Sequence, residues 1–151
     1  MRGGTDGLWT SPMTAAEVAA ERSRAEFPDF VGDELWWVEN RPAENGRGAL
    51  VRRTADGALT EVLAPRWNVR NRVMEYGGRP WVGLGDARVA FTHWDDQRVY
   101  HADADGTVRP LSPAPDQPAG CRYADLSRVG GEVWCVRESI TGPTRTDVRR
   151  A

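Results

Sequence analysis

Lysine is absent from this 151-residue chain, and all 20 of its basic residues are arginine. Reactions that run through a lysine amine, a Schiff base or the phosphate-gripping lysine of a P-loop, are therefore closed to it. With a single isoleucine, Ile140, the arginine bias reads as the imprint of a GC-rich coding composition. Neither sign of charge dominates, with 20 basic residues against 22 acidic, which excludes the basic footprint of a nucleic-acid binder. Apolar runs are short. None approaches the ~20 residues of a membrane-spanning helix, and no apolar stretch of a signal peptide follows Met1-Arg2-Gly3-Gly4. The expectation is a cytoplasmic chain with no membrane and no nucleic-acid partner.

The motifs of common enzyme classes are also missing. There is no Gly-x-Ser-x-Gly to seat an exposed nucleophilic serine, no Cys-x-x-Cys and no His-Glu-x-x-His. Gly83-x-Gly85 lacks both a third glycine and a following helix, so it reads as a hairpin turn. Of the two cysteines, Cys135 sits mid-strand like a buried free thiol, and a bridge to Cys121 would need an oxidising compartment. The two histidines, His93 and His101, lie near Asp95, Asp96 and Asp103, ligand types that suit divalent ions. No spacing fixes a coordination geometry, because His and Asp are ordinary at turns and strand ends. No catalytic residue, metal site or cofactor is assigned.

What the chain does have is repetition. Leu35-Trp36-Trp37-Val38, then Ala49-Leu50-Val51, then the turn Asp56-Gly57 and a strand to Pro65, is echoed downstream. The echo is Val89-Ala90-Phe91, Val99-Tyr100, Asp105-Gly106 and a strand to Pro113; Val133-Trp134-Cys135-Val136 begins a third copy. Equivalent positions recur every 44 to 54 residues or so, the period of a four-stranded propeller blade. The reading is all-β: a partial propeller of antiparallel meander blades, about two and a half of them, with a short N-terminal helix. Residues 1–31 form the leader and helix, the helix over residues 15–26 with a Thr14/Glu17 capping box and a stop at Pro28. Residues 32–151 form the incomplete propeller: blade one 32–65, a connector 64–80, blade two 81–113 and a partial blade three 122–151. Trp36, Trp37, Trp81 and Trp134 fall on predicted strands and are read as core, Trp94 as a half-exposed turn residue, and Tyr76 and Tyr123 as matching positions before successive blades.

The connector holds the most distinctive polar set. Arg70, Arg72 and Glu75 alternate with Val73, Met74 and Tyr76 ahead of two glycines. Arg72 and Glu75 either face a ligand, an arginine gripping a carboxylate and a glutamate an amine, or pair internally and pin the connector.

These residues carry a resemblance. The stretches Ser11-Pro12-Met13-Thr14, Leu35-Trp36-Trp37-Val38-Glu39-Asn40-Arg41-Pro42, the run from Asn68 to Gly78 with its Arg-Val-Met-Glu-Tyr-Gly-Gly, and Arg122-Tyr123-Ala124-Asp125 resemble the N-terminal propeller of prolyl oligopeptidase-family serine peptidases, closest to the acylaminoacyl-peptidase and dipeptidyl-aminopeptidase-like branch. The resemblance implies a truncated portion of an enzyme whose propeller gates access of peptide or acyl-peptide substrates to an α/β-hydrolase domain. That domain, with its Ser-Asp-His triad, is missing from this sequence, so this portion is expected to be non-catalytic. It also makes Arg72, Glu75 and Tyr76 candidate substrate-binding or channel-facing positions. The alternative is a stand-alone, self-associating binding or scaffold protein whose open blade edges meet other copies.

Overall fold

Alternation of apolar and polar residues, broken by Asp-Gly and Gly-Gly turns, drives the chain into short antiparallel strands. The computed structural model describes residues 23–141 and the backbone of 146–150. The strands are β1 (Arg24–Val31), β2 (Glu34–Arg41), β3 (Arg47–Arg53), β4 (Leu59–Glu61), β5 (Trp81–Gly85), β6 (Arg88–Thr92), β7 (Val99–Ala102), β8 (Val108–Pro110), β9 (Cys121–Val129), β10 (Glu132–Ile140) and β11 (Thr146–Arg150). They form three meanders in chain order, β1-β2-β3-β4, β5-β6-β7-β8 and β9-β10-β11. Every pairing within them is antiparallel. This is the partial propeller-like, all-β fold that the repeat implies. Among the described residues no helix is long and apolar enough to cross a membrane.

The repeat extends to individual hydrogen bonds. At the third turn of sheet one, Gly57 N–H donates to Thr54 O at 2.8 Å, Thr54 N–H to Ala58 O at 3.0 Å, and Ala58 N–H to Asp56 Oδ1 at 3.2 Å. In sheet two Gly106, Asp103, Thr107 and Asp105 make the same three bonds at 3.0, 2.9 and 2.8 Å. Both glycines adopt positive φ, +88° and +85°, which explains why Gly recurs there.

The first strands of the sheets touch one another, β1 against β5 and β5 against β9, so the sheets fan outward from a common hub. Each first pairing carries a register shift, at Glu26/Asp29, Gly83/Gly85 and Trp134/Val136, and such bulges bend and twist a strand. The hub is tight: a Cβ added at Gly83 would lie 2.5 Å from Val31 Cγ2. Arg79 bridges all three first strands, its guanidinium pairing with Asp29 and its N–H donating to Asp125 Oδ1 at 3.0 Å.

Sheet two is buried on both faces, and its side chains divide by parity. Trp81, Val89, Phe91 and Ala102 join Trp36, Val38 and Leu50 in the core shared with sheet one. Val82, Ala90 and Val99 pack instead on Tyr123 and Leu126 of sheet three. Trp36 and Trp81 are fully buried and stack at a centroid distance of 6.1 Å, the indole of Trp81 donating to Phe27 O at 3.1 Å.

Three expectations need correction. Most of the helix expected over 15–26 lies outside the described residues, but its end does not: Arg24–Val31 is a strand, and sheet one starts there rather than at residue 32. Pro28, read as a helix stop, lies inside the bulge, where its missing N–H costs no ladder bond. Tyr123 is inside β9 and buried, whereas Tyr76 is 97% exposed, so the two are not equivalent. Trp134 is 44% exposed, while its neighbours Val133 and Cys135 pack against the core shared with sheet two. Both cysteines are free.

The contrast between the two tryptophans is measurable by denaturant unfolding. Trp81→Ala should destabilise the chain by about 3–5 kcal/mol through the cavity it leaves. Trp134→Ala should cost within about 1 kcal/mol, as surface changes do.

Candidate functional site

The connector leaves sheet one beside the β2–β3 loop. Val69 N–H donates to Gly48 O at 2.8 Å, and Trp94 N–H to Asn68 O at 2.9 Å, so the segment lies across one end of sheets one and two. Gly48 permits this approach, since a Cβ there would come within 2.6 Å of Val69 O. Asn71 then closes the loop on itself: its amide accepts from Gly78 N–H at 3.0 Å and donates to Gly78 O at 3.1 Å, imitating a strand partner. Between these ends the backbone makes a short 3-10 turn, Val73–Glu75, in which Met74 and Glu75 adopt left-handed φ of +53° and +63°. Side chains rarely accept that conformation without compensation.

The compensation comes from sheet three. Glu138 on β10, 4% exposed, accepts the Met74 N–H at 3.1 Å. Arg122 on β9, 9% exposed, donates to Arg72 O at 3.0 Å and to Glu75 Oε1 at 2.5 Å, and lies 3.6 Å from Glu138. Arg72 completes the group with a 2.9 Å bond to Glu75 Oε2. From sheet two the buried Gln97 accepts the Arg72 N–H at 2.7 Å and donates to Trp94 O at 2.6 Å. The guanidiniums of Arg70 and Arg72 lie 4.5 and 5.5 Å from the centre of the half-buried Trp94 ring, within cation–π range.

Arg72, Glu75 and Tyr76 thus share one turn but have different environments. Arg72 and Glu75 pair with each other and with Arg122, the internal-pinning arrangement. The hydrogen bonds from Arg122 and then Arg72 hold the Glu75 carboxyl below the usual carboxylate range. Tyr76 is fully presented, and Met74 beside it is 57% exposed. The arrangement offers a phenol hydroxyl and a thioether on a rigid turn, equipment for contact rather than for bond-breaking. Arg122, Glu138, Asn71 and Gln97 escape sequence reasoning because their partners lie 7 to 64 residues away.

Of the two histidines, His93 is engaged by the fold. His93, buried, accepts the Asn68 N–H at 3.2 Å and packs edge-on against Trp67. His101 Nδ1 lies 3.7 Å from Asp103. Among the described residues no three His, Cys, Asp or Glu side chains cluster as metal ligands would.

No protein-family model matches the chain, and no curated protein does. Solved structures do. A puromycin-hydrolyzing peptidase of Mycobacterium tuberculosis is 42% identical over 93% of this chain, with a TM-score of 0.77. A puromycin hydrolase is 47% identical over 94%, with a TM-score of 0.78, and a mutant of puromycin hydrolase complexed with PGG matches at 47% and 0.77. The chain spans only 22% and 23% of the lengths of those two peptidases.

Acid unfolding reads out the pinning. A carboxylate whose folded pKa is depressed contributes stability above its unfolded pKa, near 4.3, and loses it as the pH falls through the lower folded value. The Tm of the wild type should therefore exceed that of Glu75→Gln at pH 6, and the difference should vanish by pH 2–3; a pH-independent gap would show that the ion pairs contribute nothing.

Proposed function

We propose, from the premise that this chain shares fold and sequence with the puromycin-hydrolysing peptidases of the prolyl oligopeptidase family, that it is the non-catalytic N-terminal propeller portion of a serine peptidase. In the whole enzyme an α/β-hydrolase domain would supply serine, aspartate and histidine and cleave an amide bond at an aminoacyl or acylaminoacyl group. The observation that carries this reading is 42–47% identity across 93–94% of the chain to proteins more than four times its length. Puromycin, an amino acid joined by an amide to a nucleoside, is the natural first substrate to try. The role given to this portion is gating. The connector turn lies at one open end of the sheets, and Tyr76 and Met74 project from it on a backbone held from two other sheets. Tyr76 would contact the substrate or the adjoining domain, with Arg72 and Glu75 keeping the turn in place.

The 151-residue chain alone should show no hydrolysis of puromycin or of aminoacyl p-nitroanilides. Turnover that co-purifies with it and is abolished by a serine-directed inhibitor would overturn the reading.

One observation favours the second reading, a self-associating scaffold. The outermost sheets keep apolar side chains in water: Phe30 is 71% and Leu59 62% exposed on sheet one, Val129 50% and Trp134 44% on sheet three. Different faces at the two ends of an open array would meet head-to-tail in such an assembly. Light scattering decides between the two: mass rising with concentration supports assembly through these faces, and a concentration-independent monomer removes it.

A further inference from the structure

A cleft of about 1030 Å³ opens between sheets two and three. It reaches the end of the sheets opposite the connector, where the hairpin turns at Asp86-Ala87 and Gly130-Gly131 lie. Its floor is apolar, formed by Leu84, Val99, Leu111, Val133 and Cys135. Its charged lining has one sign in excess: Arg88, Arg109, Arg128 and Arg137 against the single carboxylate of Glu132.

How these groups are already used decides what the cleft can take. Arg88 pairs with Asp86 at 3.0 Å, and Arg128 donates to the carbonyls of Leu84 at 2.9 Å and Gly130 at 3.2 Å. Glu132 accepts the Trp134 indole N–H at 2.9 Å. Arg109 and Arg137, by contrast, have no carboxylate within ion-pair distance among the described residues, and the buried Nε of Arg137 has no hydrogen-bond partner. His101, 6% exposed and lining the same cleft, also has an unpartnered Nδ1, since Asp103 at 3.7 Å is beyond hydrogen-bond reach. Buried polar groups are normally satisfied, and these two lie unpartnered behind the cleft wall, so the positive charge of Arg137 is left uncompensated beside the cleft. The volume is at the upper end of the range for small-molecule sites.

We propose that this cleft binds a small carboxylate carried on an apolar body. The carboxylate would bridge Arg137 and Arg109, with His101 beside it, and the body would lie on Leu84, Val99 and Val133. The site is separate from the connector turn and does not depend on the peptidase reading.

Naphthalene-2-carboxylate is the probe, titrated into the full chain while the backbone amide NMR signals of Val133 and Cys135 are followed. Saturable one-to-one binding that shifts these signals is expected, at least about tenfold weaker for the isosteric neutral 2-naphthamide, because a charge-assisted hydrogen bond is lost. Arg137→Gln should weaken the carboxylate by a similar factor, whereas Arg53→Gln on sheet one should leave it unchanged. Arg109→Gln, at an exposed position on β8, serves if Arg137→Gln loses its folded spectrum. Equal affinity for acid and amide, an affinity unmoved by the cleft arginine variants, or no saturable shift would each overturn the proposal.

Discussion

The buried Arg122–Glu138 pair is the interaction on which the connector depends. Glu138 satisfies the Met74 amide, and Arg122 satisfies the Arg72 carbonyl and the Glu75 carboxylate. A loop that links sheets one and two is therefore held in shape by sheet three. Removing either member would leave the other charge buried and unpaired, which costs several kcal/mol in general. It would also remove contacts that hold Met74 and Glu75 in their left-handed backbone. Formation of the turn and docking of the third sheet are thus coupled events.

That coupling sets what was legible in the sequence. The meanders were legible because their causes are local: apolar alternation, and Asp-Gly turns whose hydrogen bonds span four residues. Trp36 and Trp81 were legible as core for the same reason. Strand β1 was not, because it sits at the hub with most of its side chains exposed, so it lacks the apolar signature; β2 makes it a strand by pairing with it. The end of the helix-like run, from Arg24 to Pro28, therefore misled. Of the candidate site, the connector could be read from the sequence, with an internal Arg72–Glu75 pair as one of two readings. The partners that fix it could not, since Arg122 and Glu138 look like any charged residues on a strand.

The same hub explains why the cleft lies where it does. Sheets that touch at their first strands must diverge outward, and the widening wedge has to be filled by progressively larger side chains. Between sheets one and two it is filled: Trp36 stacks on Trp81 near the hub, and Trp67, Phe91 and Tyr100 meet farther out at centroid distances of 4.9 to 5.8 Å. Between sheets two and three the core is Val82, Ala90, Val99 and Leu126, with Tyr123 its one buried aromatic among the described residues. Aliphatic side chains close the wedge near the hub and leave it open at the periphery. The cleft is therefore a consequence of residue volume at a few positions. A larger aromatic at Val99 or Val133 would be expected to fill it from within, much as Phe91 and Trp67 do on the other face of the same sheet. That the outer part of this wedge carries arginines without acidic partners, rather than such an aromatic, is what separates it from an ordinary packing gap.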